Sequence, residues 1–234
     1  MMLKKLVNNP RIFLTVVAKR SLNIQSIDHN LGDRMKMLND NKQYLQTLEL
    51  IDKHINNIEK CSNWTIIQTL KACSELRDIQ RGSNIHNLVS SRLKHDPYIL
   101  PSLIHFYMQC GAIDRAQSLF DASSKRTLKI YGAMMKGYIR NNQAKKAIDL
   151  FSEINNPDKI IINLLFNACA QLGTTKELNL IKKVLSNISE SFHSDPFIQT
   201  SLIDALMKCG DINYAQLLFD KTFFIKFNSL VVPN

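Results

Sequence analysis

The stretch "YMQCGAIDRAQSLFD" at residues 107–121 returns as "LMKCGDINYAQLLFD" at 206–220. Extended back to Asp96 and Asp195, the two copies share 15 of 26 residues at a constant offset of 99. Self-similarity at a fixed spacing constrains a fold strongly, because a repeating chain stacks one supersecondary unit on the next instead of closing a single core. Shorter phrases subdivide the period. Ala-x-x-Leu-Phe occurs at Ala116–Phe120, Ala147–Phe151 and Ala215–Phe219. Lys71-Ala72-Cys73-Ser74-Glu75-Leu76 is echoed by Asn167-Ala168-Cys169-Ala170-Gln171-Leu172. Upstream, "NKQYLQTLELI" at 41–51 is a worn copy with Leu50-Ile51 in place of Leu-Phe. The units are therefore about 31–36 residues long, three to a cycle.

Each unit splits into two helical halves. From Leu128, apolar residues fall at Ile130, Tyr131, Met134, Met135, Tyr138 and Ile139, a helical period. Asn141-Asn142 breaks it, and Ala147, Ile148, Leu150, Phe151 and Ile154 form a second helical face. The other units place Gly111, Gly173 and Gly210 at the same break. Gly and Asn tolerate the positive φ that a tight helix-to-helix turn often needs. A lone helical hairpin cannot bury its apolar stripes, whereas stacked hairpins can. The expected fold is all-α, a solenoid of antiparallel helix-turn-helix repeats.

Composition agrees. Hydrophobic residues make up 45% of the 234, enough for a core, and seven Gly with six Pro are few for an all-β chain. No apolar run approaches the roughly 18–20 residues of a membrane span. The net charge is +10, compatible with a polyanionic partner. Half of it lies in residues 1–27, where Lys4, Lys5, Arg11, Lys19 and Arg20 stand without an acid. Basic residues set among Leu, Ile, Phe and Val in an acid-free start fit an organelle transit peptide. A frayed basic terminus of a cytosolic protein is the other reading.

Three sets of phrases identify a resemblance. "YMQCGAIDRAQSLFD" and "LMKCGDINYAQLLFD" look like the short motif of the pentatricopeptide repeat family's P-L-S subclass. "IYGAMMKGYIRNNQAKKAIDLFSEI" at 130–154 looks like its P motif, and "LKACSEL" and "NACAQL" look like its L motif. The resemblance covers residues 40 to about 222. The register is L at 63–96, S at 97–127, P at 128–158, L at 159–195 and S at 196–222. A degenerate helix pair at 28–62 precedes it, and an apolar tail at 223–234 follows. The tetratricopeptide repeat has a similar period, but its Trp-x-x-Leu-Gly-x-x-Tyr phrase is absent, since Trp64 is not followed by Leu-Gly.

The resemblance implies a right-handed superhelix whose first helices bind single-stranded RNA, about one base per repeat. It assigns base readout to the fifth residue of each first helix and to the last residue of the repeat. The fifth residues are Ile67, Pro101, Gly132, Asn163 and Thr200, and the last are Asp96, Thr127, Asp158 and Asp195. Asn163 with Asp195 resembles a uridine-reading pair; Gly132 with Asp158 and Thr200 complete the readout candidates. Asp96 and Asp195, each before a Pro, equally suit helix N-caps. The second residues, Trp64, Tyr98, Lys129, Ile160 and Phe197, would sandwich bases, with inter-repeat core as the alternative. Lys71, His105 and Lys136, at the ninth place, would face the same groove and meet phosphates.

Many P-L-S proteins carry a zinc deaminase-like domain, which needs His-x-Glu and Cys-x-x-Cys. Neither occurs in this sequence. Cys73 with Cys169, and Cys110 with Cys209, hold equivalent repeat positions, which argues for packing and against ligation. The sequence thus describes no enzyme, cofactor or metal site. It describes an RNA-binding repeat protein of an organelle, with the mitochondrion as first expectation. It would serve RNA processing or editing, with a separate catalytic or processing protein at the C-terminal end. A protein-binding scaffold and an inactive repeat fragment are the alternatives. A fluorescent fusion lacking residues 1–27 is expected to remain in the cytosol, whereas the full-length fusion enters an organelle.

Overall fold

The computed structural model describes residues 30–93, 98–188 and 195–231, all in helices, turns and short connections, with no strand among them. The helices are α1 (30–40), α2 (Tyr44–Asp52), α3 (Asn63–Leu76), α4 (Ile79–Val89), α5 (Ile99–Gln109) and α6 (Ile113–Asp121), followed by α7 (Leu128–Arg140), α8 (Ala144–Phe151), α9 (Lys159–Leu172), α10 (Thr175–Leu185), α11 (Pro196–Lys208) and α12 (Ile212–Val231). They pair as the hairpins that the apolar periodicity predicts. The calls on residues 1–27, on Asp96 and on 232–234 lie outside the described residues. The expected stop at about residue 222 does not interrupt the backbone, because α12 continues to Val231.

The chain divides into two compact units, one ending at Phe106 and the other starting at Tyr107. In the first, α2 packs on α3 and α3 on α4. A buried polar network binds α1 to its neighbours. The Asn39 amide donates to the Gln68 carbonyl at 2.9 Å and to its side-chain oxygen at 3.1 Å, and Thr47 Oγ1 donates to Asn39 Oδ1 at 2.9 Å. In the second unit α6 meets α7 and α8 meets α9, while first helix lies on first helix as α7 on α9 and α9 on α11. Within each unit these helices bury their apolar stripes against one another. Phe120, at the end of α6, is buried with its ring edge-on to Tyr131 of α7 at 5.5 Å. Cys73, Cys169 and Cys209 are buried, and burial pushes the Cys169 thiol up to about 12.

One turn geometry closes the hairpins. A six-to-one bond runs from Gln43 N to Leu38 O, Asp78 N to Cys73 O, Ala112 N to Tyr107 O, Gln143 N to Tyr138 O and Asp211 N to Leu206 O, at 2.8–2.9 Å. The residue before each donor lies at positive φ: Lys42 at 59°, Arg77 at 52°, Gly111 at 74°, Asn142 at 57° and Gly210 at 95°. This is the Schellman stop, in which a left-handed residue satisfies the last helical carbonyls. Gly173, at 65°, ends α9 with the simpler bond to Cys169 O at 2.8 Å. The Gly and Asn breaks were legible in the sequence. Lys42 and Arg77 were not, because both side chains carry a Cβ that the left-handed region disfavours.

Two consequences can be measured by thermal melts. Gly111→Val and Gly210→Val each lower stability by roughly 1 kcal/mol or more, since a β-branched residue is strained at positive φ. Arg77→Gly moves the other way, raising stability by about 0.5–1 kcal/mol by relieving the same strain.

Candidate nucleic-acid interface

The first helices of the hairpins start from side-chain caps. Ser62 accepts from Thr65 N, Thr127 from Ile130 N, Asp158 from Ile161 N and Asp195 from Phe197 N. Each cap stands one residue before its helix, which is the place that the resemblance gives to the last residue of the preceding repeat. Asp158 and Asp195 therefore spend one oxygen on a backbone N–H. Asp195 spends its other oxygen on Lys159 Nζ at 3.3 Å. The bond from Phe197 N–H, aided by Lys159, holds the Asp195 carboxyl below the usual carboxylate range.

From these caps the first-helix side chains take defined places. The second residues reach solvent: Trp64 is 39% exposed, Tyr98 53%, Ile160 56% and Phe197 56%, with Lys129 exposed as well. Three aromatic rings and an aliphatic side chain at that exposure are surface groups. The fifth residues are more enclosed. Ile67, Pro101 and Gly132 are half-buried, and Asn163 is 9% exposed. Thr200 is exposed, but its hydroxyl bonds back to Pro196 O at 2.9 Å. Among the ninth residues, Lys71 and Lys136 are exposed and His105 is half-buried.

In the first unit the fifth and ninth residues come together. Ile67, Lys71 and Ser74 of α3 face Pro101, Ser102 and His105 of α5 across a pocket of about 190 Å³. Its lining is mostly apolar and includes the His105 imidazole and Lys71, whose ammonium is paired with Asp40. Such a pocket suits a flat base or ribose with a phosphate at the edge. In the second unit, Gly132 of α7 lies against Ile161 and Leu164 of α9, where an added Cβ would stand 3.6 Å and 3.9 Å away.

The sequence reasoning missed three groups. Lys159, the first residue of α9, pairs with Asp195. Asp33 and Asp40 of α1 contact Trp64 and Lys71, each 31 residues further on. Both contacts run diagonally between α1 and α3, since the turns at Lys42 and Arg77 are 35 residues apart and the contacts span 31. Among the described residues no group of three His, Cys, Asp or Glu is placed to hold a metal ion, and no helix is long and apolar enough to cross a membrane.

Comparison with known sequences adds to this geometry. The sequence model of the PPR repeat matches residues 129–156 and 200–221. An Arabidopsis thaliana pentatricopeptide repeat-containing protein named as chloroplastic is 31% identical over 164 residues, 68% of this chain and 27% of the relative. A second from the same plant is 34% identical over 159 residues, 65% of this chain and 18% of the relative. A third, named as mitochondrial, is 26% identical over 185 residues, 77% of this chain and 27% of the relative. The chain thus spans less than a third of the length of each of these relatives.

The capping role separates from any reading role by substitution. Asp158→Ala lowers thermal stability by about 1 kcal/mol, whereas Asp158→Asn, which still accepts the N–H, leaves it nearly unchanged. Asp195 adds a pH signature. Its carboxyl is depressed, so its contribution is complete above the unfolded aspartate value and is lost as pH falls through the lower folded value. Asp195→Asn makes the acid limb of the stability–pH curve shallower than in the unaltered protein.

Proposed function

We propose that this chain, which carries pentatricopeptide repeats, binds single-stranded RNA in an organelle through the outward faces of its first helices. The observation that carries the reading is the exposure of the second residues within each unit. Tyr98, just before α5, and Phe197, in the first turn of α11, hold half-exposed rings whose faces are open to stacking. A base stacked on an exposed ring contributes about 1–3 kcal/mol, whatever its identity. Lys129 and Lys136 on α7 add cationic contacts for phosphate.

Base choice is narrow on this reading. Asn163 supplies an amide at the fifth place of α9, with Asp195 at the end of the same repeat, and the pair favours uridine. Since Asp195 is committed to Phe197 N and Lys159, Asn163 makes the direct contact. Ile67, Pro101 and Gly132 have no side-chain donor or acceptor for a base edge and give contact without choice. The alternating unit lengths favour the P-L-S subclass. The repeats act as a specificity factor, with RNA processing or editing performed by another protein or domain. The organellar relatives favour import directed by residues 1–27, into the mitochondrion or the chloroplast.

The test is binding of single-stranded RNA oligonucleotides to the full chain across a salt series. Affinity falls steeply as salt rises, because counterions are released on binding. Tyr98→Ala and Phe197→Ala each weaken binding by about 1 kcal/mol or more. Asn163→Ala relaxes preference for uridine at one nucleotide only. Absence of binding at low salt overturns the proposal in favour of a protein-binding scaffold.

A further inference from the structure

Asn163 is a buried amide without a partner. Only 9% of the residue is exposed, yet its side chain makes no hydrogen bond with any described residue. Buried polar side chains are nearly always bonded, so an unbonded one is completed by water or by a ligand. Lys159 stands four residues earlier in α9 and so on the same helix face, with the two Cβ atoms about 5–6 Å apart. Its ammonium is held in place. Lys159 Nζ donates to Asp195 Oδ2 at 3.3 Å, while Asp195 Oδ1 accepts from Phe197 N at 2.9 Å. The backbone at the start of α11, which packs along α9, thus fixes the carboxylate, and the carboxylate fixes the ammonium. Ile160, 56% exposed, lies on the same face as both and offers an apolar surface for a base.

We propose that Lys159 is a further base contact at the Asn163 nucleotide, where its ammonium selects for a base carbonyl oxygen. The inference rests on the RNA-binding reading above and deepens it. The Asn163 amide offers N–H donors at one end and a carbonyl acceptor at the other. It can meet the ring N–H of uracil and one adjoining carbonyl oxygen, which leaves the second carbonyl oxygen unanswered. An ammonium has three N–H donors and no acceptor. Asp195 takes one of them, and the others are open to an oxygen beside Asn163. Adenine has no carbonyl oxygen, and its amino group would meet the ammonium donor to donor, leaving both unbonded. The pairing with Asp195 also decides between base and phosphate. The Phe197 N–H, aided by Lys159, holds the Asp195 carboxyl below the usual carboxylate range, so it stays ionised in neutral solution. Lys159 and Asp195 then carry no net charge together and have little to offer a phosphate. Lys136 of α7 differs, being exposed and without a carboxylate partner among the described residues. Lys159 therefore supplies direction, and Lys136 supplies charge.

The experiment uses the full chain with labelled single-stranded RNA oligonucleotides, each carrying uridine, cytidine, guanosine or adenosine at the nucleotide whose preference Asn163→Ala relaxes. Affinity is measured across salt, and thermal melts confirm that each variant is folded. Lys159→Met lowers affinity for the uridine oligonucleotide several-fold, leaves the adenosine one nearly unchanged and does not move the salt slope. Lys159→Arg, which keeps N–H donors beside Asp195, retains most of the preference. Lys136→Met weakens all four oligonucleotides alike and reduces the slope by about one. Asp195→Asn keeps the cap, because asparagine also accepts the Phe197 N–H, but it releases the ammonium. The preference for uridine over adenosine then falls, while the salt slope steepens as Lys159 becomes a lone cation. If Lys159→Met instead weakens all four oligonucleotides equally and reduces the slope, Lys159 is a phosphate contact and the proposal is overturned. If it shifts the melt and no affinity, Lys159 is a structural clip and the proposal is overturned likewise. If Asn163→Ala relaxes no position although RNA is bound, no base lies at this site, which also overturns it. All three results leave RNA binding standing. If the unaltered chain binds no RNA at low salt, the RNA reading itself is overturned and the role of Lys159 with it.

Discussion

Reversing a helix within a few residues requires a backbone conformation that most side chains resist, and the rest of this architecture depends on its being met at each hairpin. Gly111, Gly210 and Asn142 meet it cheaply, whereas Lys42 and Arg77 meet it under strain. The turn fixes the angle at which the second helix returns. That angle decides which stripe of the first helix is covered and which side chains are left outward.

The two copies of the longest phrase show how far a repeat's environment depends on its neighbours. Phe120 is 3% exposed beneath Tyr131, while Phe219, its counterpart in the second copy, is 54% exposed. The phrase and the local helix are the same; the packing around them differs. Burial in a stacked array is set largely by nearest-neighbour contacts. Sequence identity between copies therefore transmits the fold of a unit, but not the surface that the unit presents.

This explains which features were readable. Helical period, hairpin pairing and the glycine turns are local, so they are written within one unit and were legible there. The caps were half legible: Asp195 before Pro196 announced a helix start, yet the same carboxylate also suited base reading, and no rule of spacing divides the two. Lys159 settles the partners of Asp195 only in three dimensions, because it lies at the far end of the same repeat. The α1 carboxylates were missed because the worn copy at 41–51 points to α2, while its partner helix has no recognisable phrase. The turn at Lys42, equivalent to that at Arg77, reveals its register.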